Sequence, residues 1–215
     1  MTSSNAYQLA KFIDSIDDFE IYTDIDGNYD HIGATVADAI LQANNRYATH
    51  VKPRVNRILE TYPEARTTTA VINLLGNISA KELLSWNGED RAERFHKIIL
   101  LFAAESIETE SDLCKWLLNS SNTLKLKAIK GIGQKTADYF KILVGISTCA
   151  IDRHLLSFLD FAGLTYNEYS QAQDVINSTA DLLSIDRAHF DHSIWQYMSK
   201  RVIKPKKPKT RCKDH

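Results

Sequence analysis

The sequence predicts an all-α fold. Three observations carry that expectation. Apolar residues recur at helical spacing, as in Phe95, Ile98, Ile99 and Phe102, which fall at i, i+3, i+4 and i+7. Helix-start residues and glycine stops follow one another at short intervals. Two-residue alternation, the mark of a half-buried strand, appears only over Phe19–Thr23. The 215 residues allow one compact domain or two small ones. With 44% hydrophobic and 25% charged residues the chain has an ordinary globular mix, which excludes disorder as its overall state.

The elements follow in order. Ser4 suits the start of a first helix. Pro53 fits the first turn of a helix ending near Thr61, Tyr62 and Pro63. Thr67 or Thr68 opens the run Ala70–Leu75, which Gly76 closes. Ser111 opens the run Leu113–Leu118. Leu126 and Ile129 share a helix that stops at Gly131, and a new helix begins near Gln134, with Gly145 at its far end. Tyr169, Ala172 and Ile176 mark one later helix, and Phe190, Ile194 and Met198 another. About ten to twelve short helices are expected. The longest apolar stretch, Ile98 to Ala104, is too short to span a membrane. Met1 to Asn5 has neither a basic nor an apolar leader character, so no secretory signal is expected. Cys114, Cys149 and Cys212 are too scattered for a zinc pattern or a disulfide framework. An intracellular protein of cytoplasm or nucleoid, without a membrane partner and monomeric, is the expectation.

The net charge of −1 conceals an uneven distribution. Residues 1–31 hold one base and seven acids, and residues 151–200 hold three bases and seven acids. Residues 32–150 hold fifteen bases against twelve acids, and the last fifteen residues hold seven bases against one acid. A basic middle and a basic end suit a long anion, and nucleic acid is the obvious one. Solvated surface charge would give the same counts. Residues 204–215 carry prolines and almost nothing apolar, and read as a disordered basic tail.

Asp24 to Asp30 begins like a calcium loop, but the twelfth position is Thr35 rather than a bidentate Glu, so a polar turn is expected. His50, His96 and His192 stand singly, without metal-ligand spacing. The informative stretch is Leu124 to Ala137. Here Gly131-Ile132-Gly133 turns the chain between two helices. Two glycines allow positive φ and close approach of another backbone. Main-chain N–H groups at the new helix start, with the positive dipole end behind them, form an anion cradle blind to base sequence. Ile132 would anchor the turn in the core. Taken alone, Gly-x-Gly also fits a plain helix–helix turn.

The flanks make the pattern more specific. Ile129-Lys130-Gly131-Ile132-Gly133-Gln134-Lys135-Thr136-Ala137, followed by Ile151-Asp152-Arg153-His154, resembles the helix-hairpin-helix DNA glycosylase superfamily, and within it the endonuclease III and 8-oxoguanine glycosylase branches. Only the usual Pro before the first glycine differs, being Lys130. The resemblance covers about residues 30–200. It implies two helical lobes with a cleft between them: a basic lobe of residues 32–150 carrying the hairpin, and an acidic lobe of residues 1–31 and 151–203. It implies double-stranded DNA as partner, held by Gly131, Gly133, Gln134 and His154. Ile40-Leu41-Gln42-Ala43-Asn44-Asn45 resembles the helix end that the family pushes into the duplex, with Asn44 filling the space of a flipped nucleotide and Asn45 beside it. A polar helix C-terminus accounts for those residues equally well. Arg91 and Arg94 resemble a phosphate-touching loop, and ordinary solvated arginines explain them as simply. Main-chain carbonyls of Lys127, Ile129 and Ile132 would hold a structural monovalent or divalent cation. The four cysteines of an iron–sulfur cluster, common in these branches, are missing, since only Cys212 lies in that region. No cofactor is required.

The implied chemistry is cleavage of a C1′–N bond in a base flipped out of the stack. Asp152 would stabilise the developing positive charge. Lys135 would attack C1′ and form an imine, opening the way to strand cleavage. The helix dipole and neighbouring Lys127 or Lys130 disfavour a second positive charge there. The bland readings are a surface lysine and a helix N-cap. Tyr139, one turn after Lys135, either stacks on the extruded base or belongs to the core. The expected function is a base-excision glycosylase with lyase activity, and the alternative is a non-enzymatic module that holds DNA backbone. The lesion stays open among oxidised purine, oxidised pyrimidine and alkylated purine.

Overall fold

The computed structural model describes residues 2–43 and 45–201, and the side chains from Ser4 onward. Among these residues the fold is all-α: twelve α-helices, one π-helical turn and no strand. The alternation over Phe19–Thr23 lies in an irregular segment instead. The basic tail at 204–215, Cys212 and Asn44 fall outside the described residues. Among the described residues no helix is long and apolar enough to cross a membrane.

The first apolar cluster is built around α2 (Ile32–Leu41), every residue of which is buried. A helix apolar on all sides must sit inside the fold. The π-helical turn Tyr47–Val51 leads into α3 (Lys52–Thr61), which carries its proline in the first turn as expected. Thr67 caps α4 (Thr68–Leu75), accepting from the Ala70 N–H. After α5 (Ala80–Leu84), α6 (Glu89–Ala104) buries Phe95, Ile98, Ile99 and Phe102 on one stripe. The start of α7 (Glu110–Leu117) differs from expectation. Thr109, not Ser111, caps it, in a reciprocal box with Asp112. The box offers two bonds where Ser111 would offer one. Next come α8 (Ser120–Lys127) and α9 (Gln134–Leu143), the latter sending Phe140 edge-on to Phe102 at 6.2 Å.

A second apolar cluster joins α1 (Thr2–Asp14), α10 (Arg153–Phe161), α11 (Tyr169–Leu182) and α12 (Arg187–Ser199). Phe19 stacks on Phe158 at 5.6 Å and leans on Tyr197 at 5.4 Å. Large aromatic areas like these contribute roughly 2–3 kcal/mol each on burial. Cys149 and Ile151 belong to this cluster, whereas Leu143 and Val144 belong to the first, so the chain passes from one to the other just before Asp152. Ile142, Ala150 and Ala188 form a small third cluster, with Tyr139 packed against it.

Candidate functional site

The site begins at the turn between α8 and α9. The first helix stops at Lys127, a few residues earlier than expected, and tight turns follow: Ile129 N–H donates to Leu126 O, and Ile132 N–H to Ile129 O, each at 3.0 Å. Ile132 is buried in the first cluster, as its place between the glycines suggested. Gly131 has φ +89°, and a Cβ on it would run into the Arg94 guanidinium. Glycine takes that φ without strain, whereas a side chain there would be strained and would have to displace the guanidinium. Gly133 corrects the sequence reading: its φ of −98° and ψ of −178° are open to any residue, and a Cβ would meet nothing within 4 Å. As N-cap of α9 it contributes no side-chain bond, so no cap side chain satisfies the first N–H groups of that helix. Gln134 opens α9, but its side chain is engaged internally, accepting from Lys127 Nζ at 2.8 Å and donating to Asp138 at 3.0 Å.

Lys135 is the second residue of α9. Its Nζ donates to Gln42 Oε1 at 2.5 Å and lies 3.9 Å from Asp152 Oδ2. The two side chains retain 33% and 17% of their exposure, so both reach solvent. Asp152 caps α10, accepting from the His154 N–H at 2.7 Å and the Leu155 N–H at 3.2 Å, with His154 Nδ1 at 3.3 Å from its other oxygen. Burial alone would raise the Asp152 carboxyl; the hydrogen bonds from His154 and then the charge of Lys135 outweigh it and hold the group below the usual carboxylate range. His154 turns its ring edge-on to Trp195 at 5.7 Å, and Trp195 stacks on His192.

Two further carboxyls stand nearby in the opposite condition. Asp191 on α12 accepts the Ala150 N–H at 2.6 Å, two residues before Asp152. Burial, reinforced by the charge of Asp152, pushes it up to about 7. Asp38 lies one turn before Gln42 on α2. It accepts from Tyr29 at 2.6 Å, Tyr47 at 2.9 Å and Tyr139 at 3.2 Å. Burial pushes Asp38 up to about 6 against the pull of those three phenols. Tyr139 follows Lys135 by one turn on α9. The helix pair therefore carries two tiers: Gln42 with Lys135 above, Asp38 with Tyr139 below. Tyr139 packs on the apolar clusters and spends its hydroxyl on Asp38. The segment bearing Tyr29 is tied to the end of α9 by Asn28 N–H donating to Leu143 O at 2.7 Å.

A model described as a domain of unknown function, DUF8548, matches residues 9–199. The chain belongs to that family. No curated protein matches it.

Around the site of this DUF8548 chain, several arginines end on main-chain carbonyls. Arg94 Nε donates to Lys130 O at 3.1 Å, at the hairpin itself. Arg91 Nη2 donates to Ala43 O at 2.7 Å, and its guanidinium lies 4.4 Å over the Trp86 ring. Arg54 lies over the same ring and donates to Ser85 O and His50 O. Arg91 and Arg94 are therefore tied to main chain rather than simply solvated, as the sequence alone suggested. Among the described residues none of the three makes a salt bridge, and Arg91 Nε is buried without a hydrogen-bond partner. Lys52, Arg66, Lys81, Lys97 and Lys125, by contrast, each pair with an acid.

Asn45 sends its Nδ2 back to Leu41 O at 2.5 Å and closes α2. At that helix end the residue reaching Lys135 is Gln42, which the sequence reading passed over. Asp38 was passed over too. Its signal was a lone acid within the otherwise uncharged stretch Ile32–Leu41. No group of three His, Cys, Asp or Glu suited to a metal occurs among the described residues.

Proposed function

We propose that this chain is a helix-hairpin-helix DNA glycosylase with lyase activity, two helical lobes holding double-stranded DNA over the cleft that contains Lys135 and Asp152. The observation that carries the reading is the meeting of an amine and a carboxylate, 3.9 Å apart, at the starts of two different helices. They stand beside a helix N-terminus without a side-chain cap and a turn whose positive φ at Gly131 favours glycine. Duplex backbone would lie on the α9 start and across Arg94, Arg91 and Arg54, whose positive charge no salt bridge offsets. A cation at the hairpin would take main-chain oxygens of Lys127, Ile129 and Ile132, hard donors suited to a hard ion. Ile129 O already accepts one N–H and keeps a second lone pair for that purpose.

In this reading a damaged nucleotide flips into the cleft. The neutral Lys135 amine attacks C1′ as the C1′–N bond breaks, and the base departs with the bonding pair and gains a proton. Asp152, held ionised, stabilises the positive charge spreading over C1′ and the ring oxygen. Loss of an amine proton and opening of the sugar ring leave an imine, from which β-elimination releases the 3′ phosphate. The test is a set of duplexes each carrying one lesion, oxidised purine, oxidised pyrimidine or alkylated purine, incubated with borohydride. The expected result is a protein–DNA adduct with at least one of them, lost in Lys135→Gln.

One observation favours a second reading, a module that binds DNA backbone without chemistry. Asp152 already accepts two main-chain N–H groups as a helix cap, a role complete in itself. Lesion-blind binding with no base release across the whole set would establish that module instead.

A further inference from the structure

Lys135 Nζ has two oxygen neighbours of different kinds: the Asp152 carboxylate at 3.9 Å and the Gln42 amide at 2.5 Å. We propose that Gln42 is the positioning residue for the Lys135 amine, its side-chain amide turning so as to accept from the ammonium through Oε1 and donate to the neutral amine through Nε2. This deepens the reading of Lys135 as nucleophile and rests on it.

The hydrogen-bonding inventory supports the assignment. An ammonium carries three donors and no acceptor. A neutral amine carries two donors and one lone pair, the pair that must attack C1′. An ionised carboxylate only accepts, so Asp152 by itself favours the ammonium. Gln42 holds both an acceptor and a donor at one end of one side chain. It can therefore keep the nitrogen in place through loss of a proton to solvent, and release it when a sugar arrives.

The backbone under Gln42 is fixed on both sides. Its N–H bonds to Asp38 O at 3.2 Å, at the end of the wholly buried α2. The carbonyl of the next residue, Ala43, accepts from Arg91, itself packed over Trp86. Motion is thereby confined to the side chain. The flexible lysine stem, with about 2 kcal/mol of rotamer freedom, needs such a partner to hold one direction. The charged groups that bear on the amine are Asp152, the N-cap of α10, with His154 bonded to it, and Asp191 on α12; Asp38 on α2 lies one turn from Gln42, and Lys127 on α8 ends on Gln134. Lys127 is turned away to Gln134 Oε1, which leaves Gln42 as the neutral hydrogen-bond partner of Lys135.

The experiment reads the amine directly on the full chain, without DNA. Reductive methylation with formaldehyde and cyanoborohydride is followed at Lys135 by peptide mass spectrometry between about pH 6 and about pH 10, a span that brackets amine titration. Lys97, paired with Glu93, serves as internal reference. Gln42→Glu replaces the two-way partner with an acceptor only, so the labelling midpoint should rise by about one pH unit and labelling near neutrality fall about tenfold. Gln42→Leu removes both bonds, and since the charge-assisted bond to the ammonium is the stronger of the two, its midpoint should fall below that of wild type. Borohydride trapping on an abasic-site duplex is measured in parallel, and Gln42→Leu should trap several-fold more slowly at every pH. Wild-type midpoints in both variants would overturn the inference whether or not the protein acts on DNA. If Gln42→Glu fails to fold, the Gln42→Leu midpoint decides alone. Shifted midpoints in a protein that never traps would leave the Gln42 contact standing and remove Lys135 as nucleophile.

Discussion

Asp38→Asn should reverse part of the pH dependence of stability. Asp38 is fully buried, and its carboxyl is pushed from an ordinary 3.8 to about 6 in the folded chain. The native state therefore binds that proton more tightly than the unfolded state does. Between about pH 4 and about pH 6 the native chain holds more protons, so stability falls as pH rises through that window. Stability from the tightly held proton is complete below 3.8 and lost as pH passes about 6. The displacement of roughly two pH units corresponds to about 3 kcal/mol, since each unit is worth about 1.4 kcal/mol. Asparagine keeps an oxygen for the tyrosine hydroxyls but never ionises. Asp191, pushed up to about 7, slopes the same way, and Asp152, held low, slopes the opposite way. The difference between mutant and wild type cancels both. Urea unfolding of the two proteins at several pH values between about 4 and about 7.5 gives that difference. The mutant should gain about 3 kcal/mol on the wild type across the range. Parallel curves would mean that Asp38 titrates normally and that burial does not outweigh its three tyrosine bonds.

Three further outcomes are expected. Asp152→Asn should fold normally, because asparagine caps a helix as well as aspartate, and should bind duplex at least as well, yet excise about 10²–10³-fold more slowly in single-turnover assays; an unchanged rate would assign Asp152 to capping alone. The two hairpin glycines should separate cleanly: Gly131→Ala loses at least about 1 kcal/mol in thermal unfolding, while Gly133→Val keeps the wild-type melting temperature and loses duplex affinity in fluorescence anisotropy, and equal affinity would show that nothing docks on that turn. Deleting residues 204–215, which removes six bases and one acid, should flatten the slope of log affinity against log salt for undamaged duplex, whereas equal slopes would separate the tail from DNA binding.

Local chemistry was the part of this molecule that could be read in advance. The stripe Phe95, Ile98, Ile99, Phe102 and the threonine cap of α4, narrowed to Thr67 or Thr68 and found at Thr67, each depend on residues within one or two turns. Lys135 and Asp152 stood out only through the resemblance of their flanking motifs, seventeen residues apart; their place at two helix starts is what the fold adds. The glycines at 131 and 133 look alike in sequence, yet φ and the Arg94 side chain, arriving from α6, distinguish them. Partners of polar groups were the illegible part. Nothing near Arg91 in sequence points to Ala43 O, and nothing near Asp38 points to Tyr29, Tyr47 and Tyr139 together, because any exposed O–H or carbonyl is chemically eligible and tertiary packing chooses.

An acid in a stretch as apolar as Ile32–Leu41 cannot be left bare, for a buried carboxyl without donors costs several kcal/mol. Its presence demanded hydrogen-bond donors brought from elsewhere, and helix α9, which supplies Lys135, also supplies Tyr139. The same helical repeat that places Tyr139 one turn below Lys135 places Asp38 one turn below Gln42. The contact between Gln42 and Lys135 and the contact between Asp38 and Tyr139 are thus two rungs of one helix pair. A change at Asp38 that lets α2 shift against α9 must move Gln42 against the amine as well.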